Sequence, residues 1–335
     1  MDQEEIERTR NRYIDAMKPL FLPEDPVSGD IIRYFASLLR VVGMEDKGWD
    51  PYVESRAILR DLDQFLQMDL PVERFPDAEL TTWRMGLVMY SHIVEMDAPY
   101  EVLTNLLRFR LGKGYSPNPY FIFLSKDQQK RFRRTGLYPK QKIEIIKRLS
   151  TEAGLSVGDL FDDFYDNTLR NAISHSDYIV TEKEFRCRNG TGAVGAFTVP
   201  LEKLNRTITN AQLFVATFFE LELAARTVWG RTSGRAIPYD AAYKGLMEVL
   251  VDEKGLMCGF KVHWPNHSES TYKRTPDGID MANCHLAIKD ATLTLFVDQY
   301  ARKPGRFSPL VEEDQEPRYT PIDRTGEIPR WPDKL

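Results

Sequence analysis

Residues 165–178 read YDNTLRNAISHSDY, and the side chains gathered there decide how the rest of the chain is read. Residues three or four apart on a helix share a face. Asp166 stands four before Arg170, Asn167 four before Asn171, and Asn171 four before His175. Arg170 and His175 fall about 140° apart on an ideal helix, so they flank one edge rather than coincide. His175 belongs to the last turn, where unsatisfied carbonyls favour a cation, and Asp177 lies close by. A guanidinium makes bidentate contacts with phosphate oxygens, and an imidazole exchanges protons near neutral pH. Arg170, Asn171 and His175 are therefore the candidate catalytic residues, with Asp166 as a supporting one. One copy of the stretch makes a thin site. Two copies facing each other across a symmetric interface supply two arginines and two imidazoles to one cleft.

Outward from this stretch, the chain reads as helix for its first two-thirds. Residues 156–174 are expected to form the helix carrying the motif, with Ser156 as N-cap and Asp159 in the first turn. Upstream, residues 3–20, 28–42, 51–68, 77–96 and 98–111 carry apolar positions at helical spacing, for example Ile31, Ile32, Phe35, Leu38, Leu39 and Val42. Gly and Pro punctuate a loop over residues 112–121. The texture changes after His175: residues 178–200 read as two strands around a Gly-rich turn, and residues 201–229 as a long helix. A shorter helix is expected from Pro238, followed by strand-like GLMCGFKVHW, ESTYKRT and ATLTLFVDQY. Residues 304–335, rich in Pro, Asp and Glu, read as extended or disordered.

Composition narrows the class. The 335 residues carry a formal net charge of −5 and are 42% hydrophobic, enough for a packed core in two domains or three. The three cysteines, Cys187, Cys258 and Cys284, do not suggest a disulfide framework and suit a reducing, cytoplasmic setting. The first residues are charged and polar, unlike a secretory signal, and no apolar run approaches a membrane span. Charge is uneven: residues 125–150 hold nine Lys or Arg against Asp127 and Glu144. Such a run is a solvated helical face or a phosphate-facing patch.

At this point the residues resemble a known family. RNAISH matches the R-x4-H form of the R-x4-6-H signature of HEPN domains, including the polar residue directly after the arginine, a form that typifies the ribonuclease-competent members. The following Asp-Tyr, the hairpin and the long helix beginning PLEKLNRTITNAQLFVATFF are similar to a HEPN bundle in its usual order. The resemblance implies a mainly α fold: a HEPN-like bundle with a β-hairpin insertion after the motif helix, within a helical region 1–235 whose core spans about 28–230. A small α+β region, 236–303, and the tail 304–335 lie outside it. It also implies a homodimer joined through the motif face, and metal-independent cleavage of RNA that leaves cyclic phosphate ends, with no cofactor. Arg170 would then bind the scissile phosphate, His175 act as general acid or base, and Asn171 orient the phosphate or the imidazole. One HEPN subset carries a modifiable tyrosine two residues after the histidine. Here Tyr178 is three after, and packing suits it better, though it remains a supporting candidate.

With that reading Lys130, Arg131, Arg133, Arg134, Lys140 and Lys142 become candidate RNA contacts, and Tyr115, Tyr120 and Phe121 candidate stacking aromatics. Toxin–antitoxin or antiviral roles, with an antitoxin or trigger-sensing partner and no membrane, are implied by resemblance. A non-catalytic RNA- or nucleotide-binding module and a scaffold subunit are the alternatives. Cys258, His263, His267, Cys284 and His285 form a second constellation. Its spacing fits no zinc pattern, and a strand over residues 255–263 sends Cys258 and His263 to opposite faces, so no metal is expected.

Overall fold

The computed structural model describes residues 1–24, 31–40, 51–116, 118–187, 196–240, 245–263, 269–275, 278–283, 285–289 and 292–296. The expected helix start at Ser28, the tail 304–335, His267 and Cys284 lie outside them, as do the side chains of Arg131, Arg133, Arg134 and His285. The described residues are mostly helical, with small antiparallel sheets. The helices are α1 (Gln3–Phe21), α2 (Ile31–Leu39), α3 (Pro51–Leu66), α4 (Ala78–Glu95), α5 (Asp97–Arg110), α6 (Lys126–Thr135), α7 (Pro139–Glu152), α8 (Asn167–Ser174) and α9 (Leu201–Gly230).

Two compact units divide the chain. The first comprises Met1–Met17, Pro51–Glu101 and Lys130–Phe219, the second Lys18–Asp50, Val102–Gln129 and Glu220–Leu335. This division differs from the expected one, which set 1–235 apart from 236–303. The sheet after α9 belongs with α2 and the end of α9, because it needs their aromatic residues to cover its apolar face.

In the first unit, the core is aromatic. Phe214 of α9 meets Phe161 at 5.1 Å, Phe164 at 5.0 Å and Tyr13 at 6.3 Å between ring centroids. Tyr100 stacks on Phe161 at 5.6 Å. Burial of this size, about 1.5–3 kcal/mol per large apolar side chain, holds α1, α5, α9 and the segment 157–164 to one centre. Between α8 and α9 lies a three-stranded antiparallel sheet, β1 (Tyr178–Val180), β2 (Glu184–Cys187) and β3 (Phe197–Pro200), where two strands were expected. Phe185 of β2 is buried between Tyr178, stacked at 5.0 Å, and Phe197 at 6.0 Å.

In the second unit, a five-stranded antiparallel sheet runs in the order β4 (Ala236–Asp240), β5 (Gly245–Val251), β6 (Met257–His263), β7 (Glu269–Thr275), β8 (Gly278–Ala282). The helix expected from Pro238 is therefore a hairpin, β4 paired with β5. Met247, Val249, Phe260, Val262 and Tyr272 alternate onto one buried face. Phe35 lies 6.2 Å from Phe260 and 4.9 Å from Trp229. Arg274 reaches from β7 to the end of α2, donating to the carbonyls of Leu39 at 3.1 Å and Arg40 at 2.8 Å. It thereby satisfies acceptors that a helix end leaves open. A further antiparallel pair is β9 (His285–Lys289) with β10 (Thr292–Phe296).

Candidate functional site

The motif helix is shorter than its sequence suggests. Residues Val157–Asp163 form a 3-10 segment, and the chain turns out of it before α8 begins at Asn167. Asp166, not Ser156, is the N-cap: its Oδ1 accepts from the backbone N–H groups of Thr168 at 2.8 Å and Leu169 at 3.0 Å. Tyr90 of α4 fixes this start from beneath. Its hydroxyl donates to the Phe164 carbonyl at 3.0 Å and accepts from the Asp166 N–H at 3.2 Å. Burial pushes the Tyr90 phenol far above its ordinary range, so it stays protonated and able to donate.

From that start, Leu169 and Ala172 point into the core and Arg170 and Asn171 are half-buried. Arg170 does not pair with Asp166, whose carboxylate is used as a cap. Its Nε donates to Glu95, the last residue of α4, and its Nη1 donates to Asn171 Oδ1 at 2.9 Å. Asn171 thus holds the arginine. The hydrogen bond to Glu95, and the charge of that carboxylate, raise the Arg170 pKa against the effect of burial. Among the described residues Nη2 makes no hydrogen bond, and it is not buried. The guanidinium carbon lies 6.0 Å from the centroid of the Tyr138 ring. Tyr165 stands close enough to feel the Arg170 charge, and its hydroxyl donates to Asn167 Oδ1 at 3.2 Å.

His175 caps the other end. Its backbone N–H donates to the Asn171 carbonyl at 3.0 Å, and its side chain is exposed. Among the described residues no hydrogen bond joins its ring to Arg170 or Asn171. Ser176 follows at φ 56°, the left-handed conformation that ends many helices. The N–H groups of Ser176 and Asp177 donate to Ile173 and Ala172, both at 3.0 Å, completing a Schellman closure. The chain then turns directly into β1. Ser176, Asp177, Tyr178, Ile179, Arg186 and Cys187 line a concave surface next to His175. Tyr178 packs on Phe185, as its position in the sequence suggested.

The basic segment divides. Lys130 and Lys140 are exposed. Lys142 is not on an exposed face: it is buried, paired with Asp97, with its ammonium 5.8 Å from the Tyr100 ring centroid. Tyr115 and Tyr120 are likewise buried rather than presented to solvent, and Asn105 braces their loop through Ser116, with bonds of 2.9 and 3.0 Å. In the second constellation, Cys258 lies on the buried face of β6 and His263 on the opposite one. His263 Nε2 is 2.9 Å from Glu248 and Nδ1 3.2 Å from Glu269. The two carboxylates thus sit at opposite ring nitrogens and cannot share one ion with the imidazole. Among the described residues no helix is long and apolar enough to cross a membrane.

Glu95 and Tyr138 are the site residues that motif reading misses. Glu95 is the last residue of α4, turned away from the buried stripe of Tyr90 and Val94. Tyr138 precedes Pro139 at a helix start. Comparison of the chain with known family models, with characterised proteins and with solved structures returned no match.

Proposed function

We propose that the chain is a metal-independent endoribonuclease of the HEPN type, acting through a site completed by a second copy across the motif face. One observation carries the reading: Arg170 is held through Nε and Nη1, while among the described residues Nη2 makes no hydrogen bond. A guanidinium oriented in advance, with a free donor, suits a phosphate oxygen whose charge grows during reaction. In the reaction, the ribose 2′-hydroxyl attacks phosphorus, the bond to the 5′-oxygen breaks, and a 2′,3′-cyclic phosphate and a 5′-hydroxyl result. His175 of one copy takes the 2′-hydroxyl proton and that of the other gives one to the leaving oxygen, each step contributing about 10² to 10⁴ in rate. Exposed Lys130 and Lys140 hold flanking phosphates. A role in toxin or antiviral defence, with an inhibiting or trigger-sensing partner, accords with this chemistry.

A second reading has an observation of its own. Glu95 neutralises Arg170, whose side chain is only 15% exposed, as a purely structural clamp between α4 and α8 requires. A binding module or scaffold subunit fits that state. The deciding experiment incubates the protein with tRNA and mixed RNA in EDTA, wild type beside His175→Ala. Cleavage by wild type alone, with cyclic phosphate ends, supports the ribonuclease. Undiminished cleavage by the variant removes His175 from the mechanism, and RNA binding without cleavage supports the module.

A further inference from the structure

We propose that the concave surface between the end of α8 and the strands β1 and β2 is a base-reading subsite, and that the base it prefers is an unpaired guanine. The inference rests on the RNA reading above and names the nucleotide that lies beside His175. The concavity has a volume of about 490 Å³, room for a purine, and its lining begins at Ser176, the residue after His175. A base seated there belongs to a nucleotide within reach of the exposed imidazole.

Strand register brings the two reading side chains together. Ile179 of β1 stands opposite Arg186 of β2 in the antiparallel ladder, so both project from one face of the small sheet. Phe185 and Cys187 are buried on the other face. Ile179 is 58% exposed, and Arg186 is exposed beside it. Ile179 offers apolar contact to the flat of a base. Arg186 is oriented by Glu184, which accepts from its Nε at 2.6 Å. Among the described residues its Nη1 and Nη2 make no hydrogen bond. Glu184 also balances the charge of the arginine, so the two Nη donors suit a neutral pair of acceptors better than a phosphate. Guanine supplies that pair, O6 and N7, on an edge open in single strands, whereas adenine sets a donor beside N7. Cytosine presents N3 and O2, but its single ring covers less of Ile179.

The test measures binding by fluorescence anisotropy in the His175→Ala background, so that RNA stays intact. The probes are a labelled uniform oligouridylate and the same strand with one central guanosine, 7-deazaguanosine, adenosine or cytidine. The guanosine strand is expected to bind about tenfold more tightly than the uniform, adenosine and cytidine strands. The 7-deazaguanosine strand, which lacks the N7 acceptor, is expected to lose most of that gain. Arg186→Met keeps an unbranched stem without the guanidinium, and is expected to bind all five strands alike, with affinity for the uniform strand unchanged. Equal affinity for guanosine and adenosine strands, a cytidine strand bound as tightly as the guanosine one, no loss with 7-deazaguanosine, or a guanosine preference kept by Arg186→Met overturns the subsite while leaving the ribonuclease reading intact. Absence of RNA binding by wild type and His175→Ala alike overturns both.

Discussion

At the scale of single residues, the site turns on how Arg170 is shared. Glu95 both orients the guanidinium and cancels its charge, so the two roles separate in Glu95→Gln. The amide keeps an acceptor for Nε and removes the negative charge. We expect Glu95→Gln to bind RNA several-fold more tightly at low salt and with a steeper salt dependence, as one more cation faces the phosphates. Titrations at two salt concentrations check this. If the pair is only a clamp, RNA binding stays put and stability falls by about 1 kcal/mol, the usual worth of a partly exposed ion pair. Lys142 teaches the converse. Its charge placed it among the phosphate contacts, yet it lies four before Ile146 and seven before Leu149, on the buried stripe of α7. That spacing is visible in the sequence and predicts the burial that a count of lysines obscures.

At the scale of elements, α8 depends on α4 for its position. Tyr90→Phe removes one donor and one acceptor, leaving the Phe164 carbonyl and the Asp166 N–H unmatched. A loss of about 1–3 kcal/mol is expected in denaturant unfolding, with helix content otherwise kept. α4 also carries a pH sensitivity. Burial lowers the His92 pKa, opposed by a hydrogen bond with the Ser55 backbone of α3. The folded state therefore takes up the proton at lower pH than the unfolded chain, whose imidazole titrates near about 6.5. The His92 contribution is whole above that value and is lost as pH falls toward the folded pKa. Unfolding measured between about pH 7 and pH 5 should show a shallower acid loss in His92→Gln. Most helices were legible because their apolar spacing is set by neighbours within two turns. The motif helix was legible in its residues but not in its start, because the 3-10 turn Val157–Asp163 continues an apolar pattern that α8 resumes. GLMEVLV reads as helix or strand alike, and pairing with β4 and β6 on both sides decides for strand. Glu95 meets Arg170 across 75 positions, beyond any local rule.

At the scale of the whole molecule, each unit has its own weak point. In the second it is Gly259, in the middle strand of the five, where an added Cβ would run into the Tyr272 carbonyl of β7. Gly259→Ala is expected to cost about 1–3 kcal/mol, read as faster proteolysis within β5 to β7. Residues of the first unit are expected to keep their protection in the same digest. Each unit is assembled from three separate runs of chain, with boundaries inside α1, α5, α6 and α9. A ribosome making this protein releases the segment 1–17 long before Phe219, and neither unit has all its parts until α9 emerges. Early helices must wait for later ones before their unit can close, and no gene fragment cut at a single point encodes either half alone.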